Sequence, residues 1–154
     1  MTIATTYDWA ELIATSEYDA LLAIREALRD GDLEDAEAGL QELIDTVVRI
    51  HRITVGSHLR QLMAHVLKWK IQPGFRSRSW ATTIMNARDE IDDILKSVPT
   101  VTEDVVRDEL WDDAFRRGKK LAEAETGLKM TISNLTWAEV FDDEYLLPVN
   151  DETF

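Results

Sequence analysis

DLEDAEAGLQELIDTVVRIHRITVGSHLRQLMAHVLKWKIQP, residues 32–73, decides the fold. Apolar residues recur at Leu33, Ala36, Leu40, Leu43, Ile44, Val47, Val48 and Ile50. They continue at Val55, Leu59, Leu62, Met63, Val66, Leu67 and Trp69. That spacing follows the helical period, not the two-residue period of a strand. Asp32 supplies an N-cap, and Glu34, Asp35 and Glu37 suit the positive end of the helix dipole. Thr54-Val55-Gly56-Ser57 contains weak helix formers, so a kink or short break is expected there at most. The helix should stop before Pro73. One long helix, or two nearly collinear ones, therefore occupies the middle of the chain.

Working outward, the same pattern holds on both sides. Ser16-Glu17-Tyr18-Asp19 resembles a capping box and opens a helix to about Arg29, with Gly31 placed to end it in a left-handed conformation. Ser77-Arg78-Ser79 starts a helix whose Trp80, Ile84, Ala87, Ile91, Ile94 and Leu95 share one face, and Pro99 closes it. Thr100-Val101-Thr102-Glu103 offers another box for a helix running to about Thr126 and ended by Gly127. On that helix Glu103–Arg107, Asp112–Arg116 and Asp113–Arg117 are acid-first pairs four apart. Thr136-Trp137-Ala138-Glu139 opens a short helix ending near Tyr145, before Pro148. The expected fold is all-α: a single domain over residues 1–154, a helical bundle of four main helices with one long central helix and a short C-terminal helix. The central helix is expected antiparallel to the Trp80–Leu95 and Thr102–Thr126 helices, with the acidic N-terminal hairpin beside them.

Charge is the least generic property of the chain. The net is −13, yet it is sharply partitioned. Residues 1–48 hold twelve acids and two bases, residues 49–88 hold eight bases and no acid, and residues 89–154 hold eighteen acids and seven bases. A basic centre thus lies between two acidic arms. Hydrophobic residues at 45% can supply a core, which excludes a disordered chain. The absence of cysteine excludes a disulfide scaffold and thiol chemistry. No apolar run is long enough to span a bilayer, and MTIATTYDWAEL lacks the basic then apolar order of a leader. A cytoplasmic protein without membrane contact is expected.

Most catalytic patterns are missing. The residues three before the histidines are Val48, Val55 and Leu62, so the Glu-x-x-His pairs of a di-iron bundle do not occur. There is no His-Glu-x-x-His, no Walker loop and no dinucleotide fingerprint. Asp30-Gly31-Asp32-Leu33-Glu34 looks like a calcium loop, but Asp35 and Gln41 stand where glycine and glutamate are required. No cofactor and no metal are expected. An enzyme would have to use His65 with a carboxylate as an acid–base pair, and the sequence places no such carboxylate.

Two features could carry binding. His51, His58 and His65 lie seven apart, about 10.5 Å of helical rise per interval, too far for two of them to share an ion. They could form a pH-sensitive or anion-binding stripe, although edging a buried face with local hydrogen bonds is the commoner role for such histidines. The second is Lys68-Trp69-Lys70-Ile71-Gln72-Pro73-Gly74-Phe75-Arg76-Ser77-Arg78-Ser79-Trp80, which mixes cations with aromatics beside a helix start. His65, Lys68, Lys70, Arg76, Ser77, Arg78 and Ser79 are the candidate residues for an anion or a partner. Its aromatic residues could stack on bases, but tryptophans at helical spacing more commonly fill the core of a helical hairpin, with the arginines pairing with the acidic arms.

That segment carries a resemblance. His65-Val66-Leu67-Lys68-Trp69-Lys70-Ile71-Gln72-Pro73, Arg76-Ser77-Arg78-Ser79-Trp80, and Thr83-Ile84 with Arg88 are similar to the hallmark of the bacterial domain-of-unknown-function 29 family. Ala122-Glu123-Ala124-Glu125-Thr126-Gly127-Leu128 resembles its Ala-x-x-Glu-Thr-Gly-Leu stretch. Residues 136–148, from Thr136 to Pro148, resemble its terminal stretch. The resemblance implies an all-helical fold and no particular activity. The expected function is a non-enzymatic protein–protein interaction module, by self-association or with a protein partner. The alternative is anion or nucleic-acid binding through Lys68–Trp80, which the overall acidity disfavours.

Overall fold

The computed structural model describes residues 7–148. Residues 1–6, the beginning of the stretch expected not to be a leader, and residues 149–154 lie outside them. The fold is all-α with a long central helix, and no strand occurs among the described residues. Helices α1 (Trp9–Thr15), α2 (Glu17–Arg29), α3 (Leu33–Ile71) and α4 (Arg78–Ser97) follow in order. Next come α5 (Glu103–Val105), a π-helical turn (Val106–Leu110) and α6 (Trp111–Thr126). A second π-turn covers Ala138–Asp142.

Local chemistry explains most of the boundaries. Ser16 Oγ accepts from the Asp19 amide, Asp32 Oδ1 from Asp35, and Ser77 Oγ from Trp80. Gly31 and Gly127 take φ of 75° and 70°, the left-handed values that favour glycine at helix ends. Helix α3 runs unbroken through Thr54–Ser57, so no kink is assigned there. Val55 on one side of Gly56 is fully buried while Ser57 on the other is exposed, so packing at Val55 outweighs the weak local propensity.

Several expectations are corrected. The cap of α5 is Thr102, whose hydroxyl accepts from Val105 N, so the helix starts two residues later than a Thr100 box would place it. Its first turns are π-helical from Val106. Asp113 receives both Arg116 and Arg117, so Arg116 bonds three back, not four, and Arg107 lies over the Trp137 ring at 4.3 Å. The C-terminal helix is a single π-turn, although its box is complete. Thr136 N donates to Glu139 Oε1 and Glu139 N to Thr136 Oγ1. Helix α1, capped by Asp8 through Glu11 N, is an element that the apolar period does not predict.

Two compact units divide the chain at Ile50 and His51. In the first, Trp9, Ala23, Ile24, Ala27 and Ala36 form the core, with Leu12 and Leu43 against it. Trp9 Nε1 donates to buried Asp35 Oδ1 at 3.0 Å. A Cβ on Gly39 would stand 2.8 Å from Ile24 Cγ1 and 3.0 Å from the Trp9 ring, so only glycine admits this contact.

In the second unit every residue from Leu62 to Trp69 is buried, the signature of a helix wrapped on all sides. Ile84, Ala87 and Ile91 of α4, Trp111, Ala114 and Ala122 of α6, and Met130, Leu135 and Val140 complete that core. Helix α6 reaches α3 closely at Gly118, where a Cβ would fall 2.9 Å from the Arg60 carbonyl oxygen and 3.2 Å from Met63 Cβ. Trp111 stacks on Trp137 at 5.7 Å, and Phe141 closes on Trp137 at 4.3 Å. The π-turn before Trp111 shifts the register of its side chain by about one residue relative to an unbroken helix.

Candidate functional site

The end of α3 binds two distant parts of the second unit through its lysines. Lys68 is buried, and its Nζ donates to Glu125 Oε2 at 2.6 Å. The same ammonium lies 4.9 Å from the Trp80 ring centroid, so ion pair and cation–π contact together compensate its burial. Lys70 pairs with Glu139 of the Thr136 box. Beyond Pro73, Arg76 turns back: its Nε donates to the Trp69 carbonyl at 2.8 Å and its guanidinium covers the Trp69 ring at 5.1 Å.

Trp69 meets Tyr145 edge-on at 5.7 Å. The Tyr145 hydroxyl donates to the Glu139 carbonyl at 2.5 Å. Burial raises the Tyr145 pKa, and Asp143 adds to the rise. Arg88 of α4 donates from Nε to the Val140 carbonyl at 2.8 Å and sits 5.4 Å from the Tyr145 ring. Its Nη2 is buried with no hydrogen-bond partner.

The structure thus places the seven sequence candidates unevenly. Lys68, Lys70 and Arg76 are engaged internally. Ser77 is a helix cap. Ser79 is exposed, and its carbonyl accepts from Thr83 Oγ1 at 2.9 Å. Arg78 is exposed. His65 is buried with Nδ1 2.9 Å from the Gln61 carbonyl. Desolvation lowers its pKa below 6.5, and neighbouring Lys68 lowers it further, against the Gln61 bond and Glu125. His51 and His58 are only partly covered, so the three histidines do not share one environment. Trp69 is buried and Trp80 half-buried, which leaves Phe75 as the exposed aromatic of the segment.

The partners that complete this region are Arg88, Glu125, Glu139 and Tyr145. None was singled out by charge or spacing, because ion pairs across 57 and 69 positions leave no local periodicity. The signal that could have found them is the motif resemblance itself. The stretches quoted for it meet here: the lysines of the first, Glu125 of the second, and Glu139 and Tyr145 of the third. Among the described residues there is no group of three or more His, Asp or Glu side chains arranged to hold a metal. No helix among them is long and apolar enough to cross a membrane.

A family model described as domain of unknown function DUF29 matches residues 16–146. No curated protein and no solved structure matches the chain. The chain belongs to the DUF29 family, whose function is uncharacterised.

Proposed function

We propose that this DUF29 chain is a non-enzymatic interaction module that engages a protein partner through the N-terminal part of α3. The observation that carries the reading is a row of exposed apolar side chains. Leu33, Leu40 and Ile44 are 66%, 41% and 54% exposed, and their spacing puts them within about 40° of arc on the helix. A packed helix ordinarily turns such a row inward. Here the inward face is the neighbouring one, formed by Ala36, Gly39 and Thr46. The apolar row is therefore spare.

Its surroundings say what would cover it. Glu34, Glu37 and Asp45 are exposed on the same stretch, and residues 1–48 carry a net charge of −10. A partner helix with an apolar stripe and basic margins fits both properties. Pairing this row with its own copy would bring two acidic margins together, so a different chain is favoured over self-association through it.

The second reading, anion binding through Lys68–Trp80, loses ground to the geometry. Lys68, Lys70 and Arg76 already hold internal acceptors, and Trp69 is covered by Tyr145 and Arg76. The family signature reads instead as the lock that ties α3 to the C-terminal segment of its unit.

The test is affinity capture with quantitative mass spectrometry, comparing the wild-type chain with a Leu40→Glu, Ile44→Glu double variant. A partner retained by the wild type, lost in the variant, and bearing a basic amphipathic helix supports the reading. Equal recovery by both, or no partner together with a monomer by light scattering, overturns it.

A further inference from the structure

Besides exposed Arg78 of the family signature, positive charge of the second unit gathers in a groove between α3 and α6. The groove has a volume of about 750 Å³ and is lined by Arg60, Arg116, Arg117 and Lys120, with Leu121 and Ala124 as its apolar part. Arg116, Arg117 and Lys120 fall on one side of α6 by their spacing. Arg60 arrives from α3, and the contact at Gly118 fixes how closely. With no side chain at Gly118, the α6 backbone meets the Arg60 carbonyl, so cations from two helices border one space.

The charges there are poorly balanced. Asp113 pairs with Arg116 and Arg117 at the rim, and these are exposed pairs, weak against a competing anion. Neither Arg60 nor Lys120 has an ion-pair partner among the described residues. Among the described residues of this unit, Asp113 is the one acid ion-paired to these four cations.

We propose that this groove binds an organic phosphate of about nucleotide size. Three guanidinium groups can fork onto phosphoryl oxygens, and Lys120 adds a point charge. Leu121 and Ala124 offer a surface to the organic portion. The groove is open to solvent, so its cations, more than enclosure, would hold the ligand. A compact anion confined to the groove is favoured over a long polyanion, since a strand leaving it would run onto a strongly acidic protein.

The experiment is isothermal titration of the full chain, at low salt and with EDTA present, using ATP and inorganic pyrophosphate. Arg60→Gln and Lys120→Gln are the test variants, and Arg78→Gln removes an exposed cation elsewhere. All three alter exposed or half-exposed side chains, and circular dichroism checks that each retains the wild-type helix content. The proposal expects saturable one-to-one binding, weakened about tenfold or more by either test variant and unchanged by Arg78→Gln. It also expects ATP to bind more tightly than pyrophosphate, through the apolar part of the groove. No saturation with either ligand, or equal weakening by Arg78→Gln, overturns the site. Tighter binding of a single-stranded oligonucleotide than of ATP, lost in Arg60→Gln, overturns the small-ligand assignment in favour of nucleic acid.

Discussion

Lys68 Nζ and Glu125 Oε2 lie 2.6 Å apart, but the two side chains are 7% and 40% exposed. The pair is therefore asymmetric. Removing the carboxylate strands a buried ammonium, while removing the ammonium leaves a carboxylate that water can reach. Glu125→Ala is expected to lose about 2 kcal/mol, less than the roughly 3–5 kcal/mol of a fully buried pair because one partner is partly solvated. Lys68→Met, which keeps the length of the chain, should lose less than about 1 kcal/mol. Urea unfolding of both variants decides this, and equal losses would refute the asymmetry.

The glycines of α3 and α6 should respond oppositely to alanine. At Gly56 a Cβ meets nothing within 4 Å, so Gly56→Ala should stabilise by about 0.5–1 kcal/mol through backbone entropy. At Gly118 it would press on the Arg60 carbonyl at 2.9 Å, and backbone cannot rotate away. Gly118→Ala should destabilise by about 1–3 kcal/mol despite the gain in helix propensity. Thermal melts of the two single variants give the signs directly.

In the first unit, Trp9→Phe deletes the donor to Asp35 Oδ1 and part of the ring that packs on Gly39. The carboxylate then stays buried without that bond. A loss of about 2 kcal/mol is expected, and Asp35→Asn, which keeps an acceptor oxygen, should lose less. Denaturant midpoints of the two variants rank them.

His65 gives the chain a pH dependence of known sign. Its folded pKa lies below 6.5 because burial disfavours the imidazolium. The unfolded chain therefore takes up a proton first as pH falls. The contribution to stability is complete above 6.5 and is lost as pH drops from there through the lower folded value. Lys68 and Glu125 face the ring with opposing effects. Unfolding free energies measured between neutral pH and mildly acidic pH should decline more steeply for the wild type than for His65→Gln. Parallel curves would show that the ring titrates no differently in the folded protein.

How much was legible in the sequence depended on how local the physics is. Ser16, Asp32, Ser77 and the Thr136 box announced helix starts because a cap bonds an amide two or three residues away. Gly31 and Gly127 announced helix ends for the same reason. The long helix was legible in its apolar period, and its persistence through Gly56 followed from burial of Val55 and Leu59, which no propensity scale contains. Thr102, not Thr100, is the cap, its hydroxyl accepting from Val105 N, and the π-turns had no sequence signal. Helix α1 leaves little trace in the sequence although Asp8 caps it, since two turns of helix show little apolar period.

The candidate site divides in the same way. That residues 49–88 are basic, and that the flanking arms are acidic, was determined by the sequence alone, as were the helical class and most helix ends. Which cations are used up was not. Lys68, Lys70 and Arg76 look as available in the sequence as Arg60 and Lys120, yet the first three are held within the second unit and the last two face a groove. Coulomb attraction and hydrogen bonding act over a few ångströms, and a distance of that size between residues 68 and 125, or 60 and 120, exists only once the helices have packed. The approach at Gly118 and the fit of Glu125 beneath α3 set those distances, so the tertiary structure decided where positive charge remains to be used.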